Sequence, residues 1–215
     1  SAGLDAMLAR HAGLLAAPKA WDAMTAADWD LVPQPVRAMA FLHMVEYWSG
    51  AYGLGEAHGV PRRLATDTAI AIVMTESWFE HRAVFENRWG NRDLGLGQAS
   101  DFARRVMRTL WAAGLVDVLF EDEDYFDPWK ASRFVVLWLG LALDEGGGDL
   151  GLAVRAYHRG IGAARAGEGA EYLEDVQRRL RRYLRDEQSP PAWRHLRSAQ
   201  DRRLASGGPP RRTAQ

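Results

Sequence analysis

The sequence has no cysteine, which excludes disulfide frameworks, thiol nucleophiles and thiolate metal sites. Lysine is almost absent as well. Apart from Lys19 and Lys130 every basic residue is arginine, whose planar fork favours fixed hydrogen bonds over loose solvation. There is no excess of either charge: 27 Lys and Arg face 28 Asp and Glu for a formal net charge of -1. No whole-protein field draws such a chain to nucleic acid, and no nucleic-acid partner is expected. Long apolar runs are missing too. The longest, 69–74 and 134–143, fall well short of the ~20 residues that cross a bilayer, so no transmembrane segment is expected. From Ser1 onward there is neither the basic stretch nor the apolar run of an export signal. No HExxH, GxxxxGK[ST] or GxSxG pattern occurs, and the His residues at 11, 43, 58, 81, 158 and 195 never pair at helical spacing. Neither a metal nor a cofactor is expected.

What the chain does have is enough to build a core: 215 residues, 47% hydrophobic, with 9 Trp, 7 Phe and 6 Tyr. The length suits one domain with extensions or two small ones. Helical periodicity runs almost throughout. Leu4, Met7, Leu8, His11, Leu14 and Leu15 form the stripe of one amphipathic helix, stopped by Pro18. A second helix opens at Pro35 and loosens at Gly50, Gly53 and Gly55. A third follows Pro61, and its segment Ala65, Ala69, Ile70, Ala71, Ile72 and Val73 is apolar nearly all round, as a helix at the centre of a bundle is. The polar stretch 86–97 predicts a loop or a short hairpin. Ser100 or Asp101 caps a helix ending near Gly114, Asp127 and Pro128 start one that stops at 146–148, and Asp149 caps another reaching Gly160. The last helix spans about 171–183. The acidic run 121–124 lacks the glycine and spacing of a calcium loop and predicts a solvated turn. From 188 to 215, Pro and Gly alternate with Arg in a mostly extended basic tail that can meet an anionic wall or membrane electrostatically.

Glu76 resists a purely structural account. It follows an apolar segment that must be buried, where a carboxylate is costly unless paired, protonated or facing a cleft. Burial raises a carboxyl pKa, as a general acid near neutral pH requires. On position alone, a carboxylate paired with an Arg at a helix end is the stronger reading.

The surrounding residues reverse that order. Met74-Thr75-Glu76-Ser77-Trp78-Phe79 is followed by Gly90-Asn91-Arg92-Asp93-Leu94-Gly95-Leu96-Gly97-Gln98, then by Ala153-Val154-Arg155-Ala156-Tyr157-His158-Arg159-Gly160, and finally by Tyr172-Leu173-Glu174-Asp175-Val176. This order resembles the lytic transglycosylase (SLT-type) domain of the lysozyme-like superfamily, in which a helix ends in Glu-Ser, a loop in Gly-Leu-Met-Gln, a later helix carries Ala-Tyr-Asn-Ala-Gly and a Tyr-Val motif opens the closing helix. The resemblance covers about 65–183 and implies an all-α, lysozyme-like fold. It divides the chain into an N-terminal helical extension (1–60), a catalytic domain (61–187) and the tail (188–215).

The resemblance also implies roles. Glu76 is the catalytic acid, Gln98 contacts the sugar, and Tyr157 lies against the carboxyl or the bound ring. The further substrate-binding candidates each have a plainer account. Ser77 bonds backbone and positions a loop; Asp93 is a turn residue; Tyr172 is core or cleft wall; Trp78 and Trp89 stack on sugars or simply pack. His158 stands where the family has Asn, and bonds a sugar hydroxyl or anchors backbone. Arg159 replaces a small residue, and Gly97 replaces Met, which predicts a more open subsite floor. The implied activity is lytic cleavage of the β-1,4 bond between N-acetylmuramic acid (MurNAc) and N-acetylglucosamine (GlcNAc) in peptidoglycan, in the periplasm or at the cell wall, with a 1,6-anhydro product. A muramidase or chitinase-type hydrolase on the same fold, with Asp93 positioning water, and a glycan-binding module without turnover are the alternatives.

Overall fold

Helices follow one another along nearly the whole chain in the computed structural model, which describes residues 2–16 and 18–184. The first two, α1 (Ala2–Arg10) and α2 (Ala12–Ala16), are separated by a turn at His11, and α3 (Pro18–Trp21) follows directly. The single amphipathic helix expected here is therefore broken. Short helices are marginal alone and take the course their packing dictates. Leu8, Leu14 and Leu15 lean on the core, while the Leu14 carbonyl accepts the indole N–H of the buried Trp21 at 2.9 Å. Pro18, expected as a stop, instead opens the next helix, a position where its missing N–H costs nothing. A capping box at Thr25 and Asp28 starts α4 (Ala26–Asp30), which buries Trp29.

The two long helices next in line, α5 (Gln34–Tyr52) and α6 (Arg62–Glu76), begin with Pro at or beside the first turn. Every residue of α6 from 65 to 74 is buried. With each fully buried Ile, Val or Met contributing roughly 1.5–3 kcal/mol, Ile70, Ile72, Val73 and Met74 anchor this helix at the centre.

After α6 comes the only sheet among the described residues, an antiparallel hairpin of β1 (Val84–Glu86) and β2 (Arg92–Leu94). The Asn87 side chain accepts from the backbone N–H groups of Trp89 and Asn91 and so closes the hairpin loop. Asp93 is thus a strand residue facing Phe85 across the ladder, and the expectation of a turn residue is corrected.

Ser100 caps α7 (Asp101–Ala112), Asp127 caps α8 (Pro128–Glu145) and Asp149 caps α9 (Leu150–Arg159). Two further helices, α10 (Ile161–Arg165) and α11 (Ala170–Leu184), close the described chain. Helices α5, α8 and α11 pack around α6, and α9 packs on α8 and α11.

The acidic run is solvated, with Glu121, Asp122 and Glu123 exposed, but it is more ordered than a turn. It leads into a 3-10 helix, Asp122–Phe126, that buries Tyr125 and pairs Asp122 with Arg108 and Asp124 with Lys130. No helix among the described residues is long and apolar enough to cross a membrane, and none of their His, Asp and Glu side chains group in threes to hold a metal ion. The basic tail from 188 to 215 lies outside the described residues.

Candidate active site

The buried helix α6 ends at Glu76, and the backbone then turns sharply through Trp78 and Phe79, both with positive φ. Ser77 holds this turn: its hydroxyl lies 2.8 Å from the Leu96 carbonyl and 3.3 Å from that of Val73. The loop after the hairpin is thereby tied to the end of α6, the positioning task expected of Ser77.

That loop is packed so closely that glycine is required at Gly95. Its φ is +69°, and a Cβ there would fall 1.7 Å from the Tyr125 carbonyl oxygen. At Gly97 the expectation of an open floor is corrected. A Cβ would come within 2.5 Å of Val135 Cγ2 and 2.7 Å of the Tyr157 hydroxyl, so the space a longer side chain would take is already filled. The Tyr157 hydroxyl donates to the Gly97 carbonyl at 2.9 Å. Gln98, with a φ of +45°, spends its amide N–H groups on the carbonyls of Gly95 and Ala83, leaving its amide oxygen without a partner among the described residues.

These elements surround a cleft of about 380 Å³. Glu76, Asp93, Gln98, Tyr157 and His158 all line it, so the structure brings together five residues that the sequence spreads over 83 positions, Glu76 to His158. Tyr172 reaches the same place from α11: its hydroxyl donates to Glu76 Oε1 at 2.5 Å. It does more than form a wall. His158 in turn stacks on Tyr172, with ring centroids 4.4 Å apart and planes 8° from parallel. Trp78 and Trp89 stand elsewhere, exposed, with Arg179 over the first ring and Arg88 over the second.

The electrostatics follow from this geometry. Glu76 is half-buried and, among the described residues, has no Lys, Arg or His paired with it. Burial pushes its pKa up to about 7; the Tyr172 hydrogen bond pulls it down and the Asp93 charge pushes it up further. Asp93 is itself raised, first by burial, with Arg104 opposing. Burial and the nearby Glu76 charge hold the Tyr157 and Tyr172 hydroxyls well above the usual phenol range, so both stay protonated donors. His158 is lowered by burial and by Arg159, which favours a neutral ring.

Sequence reasoning missed Phe85, Asn87, Phe134 and Trp138 in the lining. Phe134 and Trp138 stand at i, i+4 spacing on α8 and stack on each other, a signal present in the sequence but indistinguishable from core packing. Trp138 also donates its indole N–H to the Tyr157 carbonyl at 3.2 Å. A carboxyl near pKa 7 beside a second carboxylate, under aromatic and amide side chains, is suited to proton transfer on a polar, ring-shaped substrate.

The family model for the transglycosylase SLT domain matches residues 56–179, more than half of the chain. No curated protein and no solved structure matches it.

Proposed function

The chain belongs to the transglycosylase SLT domain family, with its all-α lysozyme-like fold and its action on peptidoglycan, and on that premise we propose that it cleaves the β-1,4 bond between MurNAc and GlcNAc with formation of a 1,6-anhydro-MurNAc end. Residues 61–187 form the catalytic domain in this reading, 1–60 its helical extension, and the periplasm or cell wall is the place of action.

Protonated Glu76 donates to the glycosidic oxygen as the bond breaks, and the GlcNAc leaves as an alcohol. The oxocarbenium-like centre left on MurNAc is supported by the substrate's own acetamido group. Glu76, now ionised, takes the proton of the MurNAc 6-hydroxyl as that oxygen closes on C1. The acid is regenerated and no water is consumed. One carboxyl serves in turn as acid and base, a task that favours a pKa near the working pH. The observation that carries this reading is Glu76 itself: facing a cleft, with no counter-cation among the described residues, raised to about 7 and oriented by Tyr172. Gln98, Tyr157, His158 and Ser77 act in binding the sugar or in holding the loop that does so.

Asp93 supports a second reading. It lines the same cleft and its charge is felt at Glu76, so it is placed among the groups that a water-activating base would join. Mass analysis of muropeptides released from purified peptidoglycan separates the two. The lytic reading expects anhydro ends, lighter by one water than hydrolytic ends. It also expects Asp93→Asn to keep at least a tenth of the activity, roughly, because no base is lost. Hydrolytic ends, with Asp93→Asn as inactive as a Glu76 variant, would replace the lytic reaction by a muramidase one.

A further inference from the structure

Among the described residues, the cleft that holds Glu76 has a single guanidinium in its lining. Arg159, the last residue of α9, stands at its edge beside His158. It is exposed and makes no hydrogen bond or ion pair with the described residues. Its place relative to the carboxyl is nevertheless set: the preceding residue, His158, stacks on Tyr172, and Tyr172 bonds Glu76. The lining also holds the carboxyls of Glu76 and Asp93, neutral amide and hydroxyl side chains, and the His158 ring, whose neutral form burial favours. A strand carrying carboxylates meets like charge from Asp93 in such a cleft. Among the described residues of the lining, Arg159 is the cation that offsets it, while Arg104 acts on Asp93 from outside the lining.

A cation in the last turn of a helix also complements the helix dipole, and any face of α9 would serve that purpose. The cleft edge is the one face where a planar fork of donors meets the substrate, and that fork matches a carboxylate with two parallel hydrogen bonds. Unsubstituted sugars offer it no counter-charge. We propose that Arg159 recognises a carboxylate on the glycan strand, so that the enzyme prefers acidic strands to neutral ones of the same length. The proposal rests on the reading of the chain as a peptidoglycan-cleaving enzyme. On such strands the carboxylate belongs either to the lactyl group of a peptide-free muramic acid or to an attached peptide.

Three soluble preparations test it: peptide-bearing strands, the same strands with every carboxyl converted to an amide, and strands stripped of peptide so that the lactyl carboxylate is free. The wild-type chain should show a kcat/KM about fivefold higher on acidic peptide-bearing strands than on amidated ones, the scale of an exposed charge pair, carried by KM. Arg159→Ala should bring that ratio close to one, Arg159→Lys should restore part of it, and Arg159→Glu should invert it. High salt should shrink the wild-type ratio. Peptide-free strands that behave like the acidic ones show that the lactyl carboxylate is taken as well as one on the peptide; if they behave like the amidated ones, the peptide carboxylate alone is the ligand. An equal kcat/KM on acidic and amidated strands for the wild type, or an unchanged preference in Arg159→Ala, overturns the proposal. Should the wild type cleave none of the strands, the peptidoglycan-cleaving reading fails, and the recognition is decided by binding of the same strands. An affinity for acidic over amidated strands that Arg159→Ala abolishes would sustain it, and equal affinities would end it.

Discussion

The two ends of α6 carry a carboxylate each, and they have opposite fates. Near the start, Asp67 is almost wholly buried and receives the Arg63 guanidinium from one turn earlier at 3.0 Å. At the end, Glu76 has no cation among the described residues and meets a hydroxyl instead. One helix thus holds a neutralised acid and an acid left to titrate. Burial by itself does not distinguish them. Nor does a raised pKa alone mark a site, because Asp127 is also pushed up by burial, to about 6, yet its carboxylate accepts the backbone N–H of Trp129 as a helix cap. What sets Glu76 apart is burial without a counter-charge among the described residues, at the wall of a cleft.

The sharpest way to break the comparison is Glu76→Gln. Cleavage should fall by roughly 10²–10⁴-fold, the range for loss of a general acid, while circular dichroism shows the fold intact. A folded variant with near-normal muropeptide release would move the acid elsewhere. The same variant has a stability signature. A folded-state pKa of about 7 against an ordinary value of 4.5 means that the bound proton stabilises the fold fully below pH 4.5 and ceases to do so as pH rises through 7. Between those limits the wild type should lose stability relative to Glu76→Gln, by on the order of 3 kcal/mol at most. Denaturant titrations at pH 4 and pH 8 measure the difference; a gap that does not change with pH would mean that Glu76 is not raised.

At the other end of α6, Asp67→Asn should leave activity per folded molecule unchanged and reduce stability by roughly 1–3 kcal/mol, because the neutral amide no longer balances Arg63. A urea midpoint equal to that of the wild type, or activity lost without loss of fold, would erase the contrast between a structural and a functional acid. Tyr172→Phe should produce the smallest change. Removing the hydroxyl takes away the interaction that lowers the Glu76 pKa, so the alkaline limb of kcat/KM should move to higher pH with only a several-fold loss of rate, about the worth of one hydrogen bond. A limb that moves to lower pH would show that Tyr172 does not stabilise the ionised carboxyl.

Much of the architecture was legible because helix signals are local. Asp127, Asp149 and Ser100 cap the helices they were expected to cap, and the apolar segment 69–74 lies in the central helix. Where local signals were weak, context prevailed. The stripe from Leu4 to Leu15 breaks at His11, Asp93 lies on a strand, and the acidic run becomes a 3-10 helix held by Arg108 and Lys130. In the candidate site, the motif order located Glu76, Gln98 and Tyr157 and named Ser77, Asp93, His158 and Tyr172 beside them. It did not rank the last four, because a Tyr that packs and a Tyr that holds an acid look alike in one dimension.

The sequence by itself determined that the chain is all-α, that one helix is buried on every side, and that this helix delivers a glutamate at its end. Periodicity, caps and breakers act over a few residues and survive without knowledge of the rest. Only the tertiary structure decided what Glu76 meets, since Tyr172 reaches it from 96 positions away, whereas Arg63 reaches Asp67 from four, by helical spacing alone. It also decided that Gly97 is covered by Val135 and Tyr157 rather than open to substrate. A carboxyl's pKa and a glycine's surroundings depend on distances between segments remote in the chain, and those distances exist only once the helices have packed.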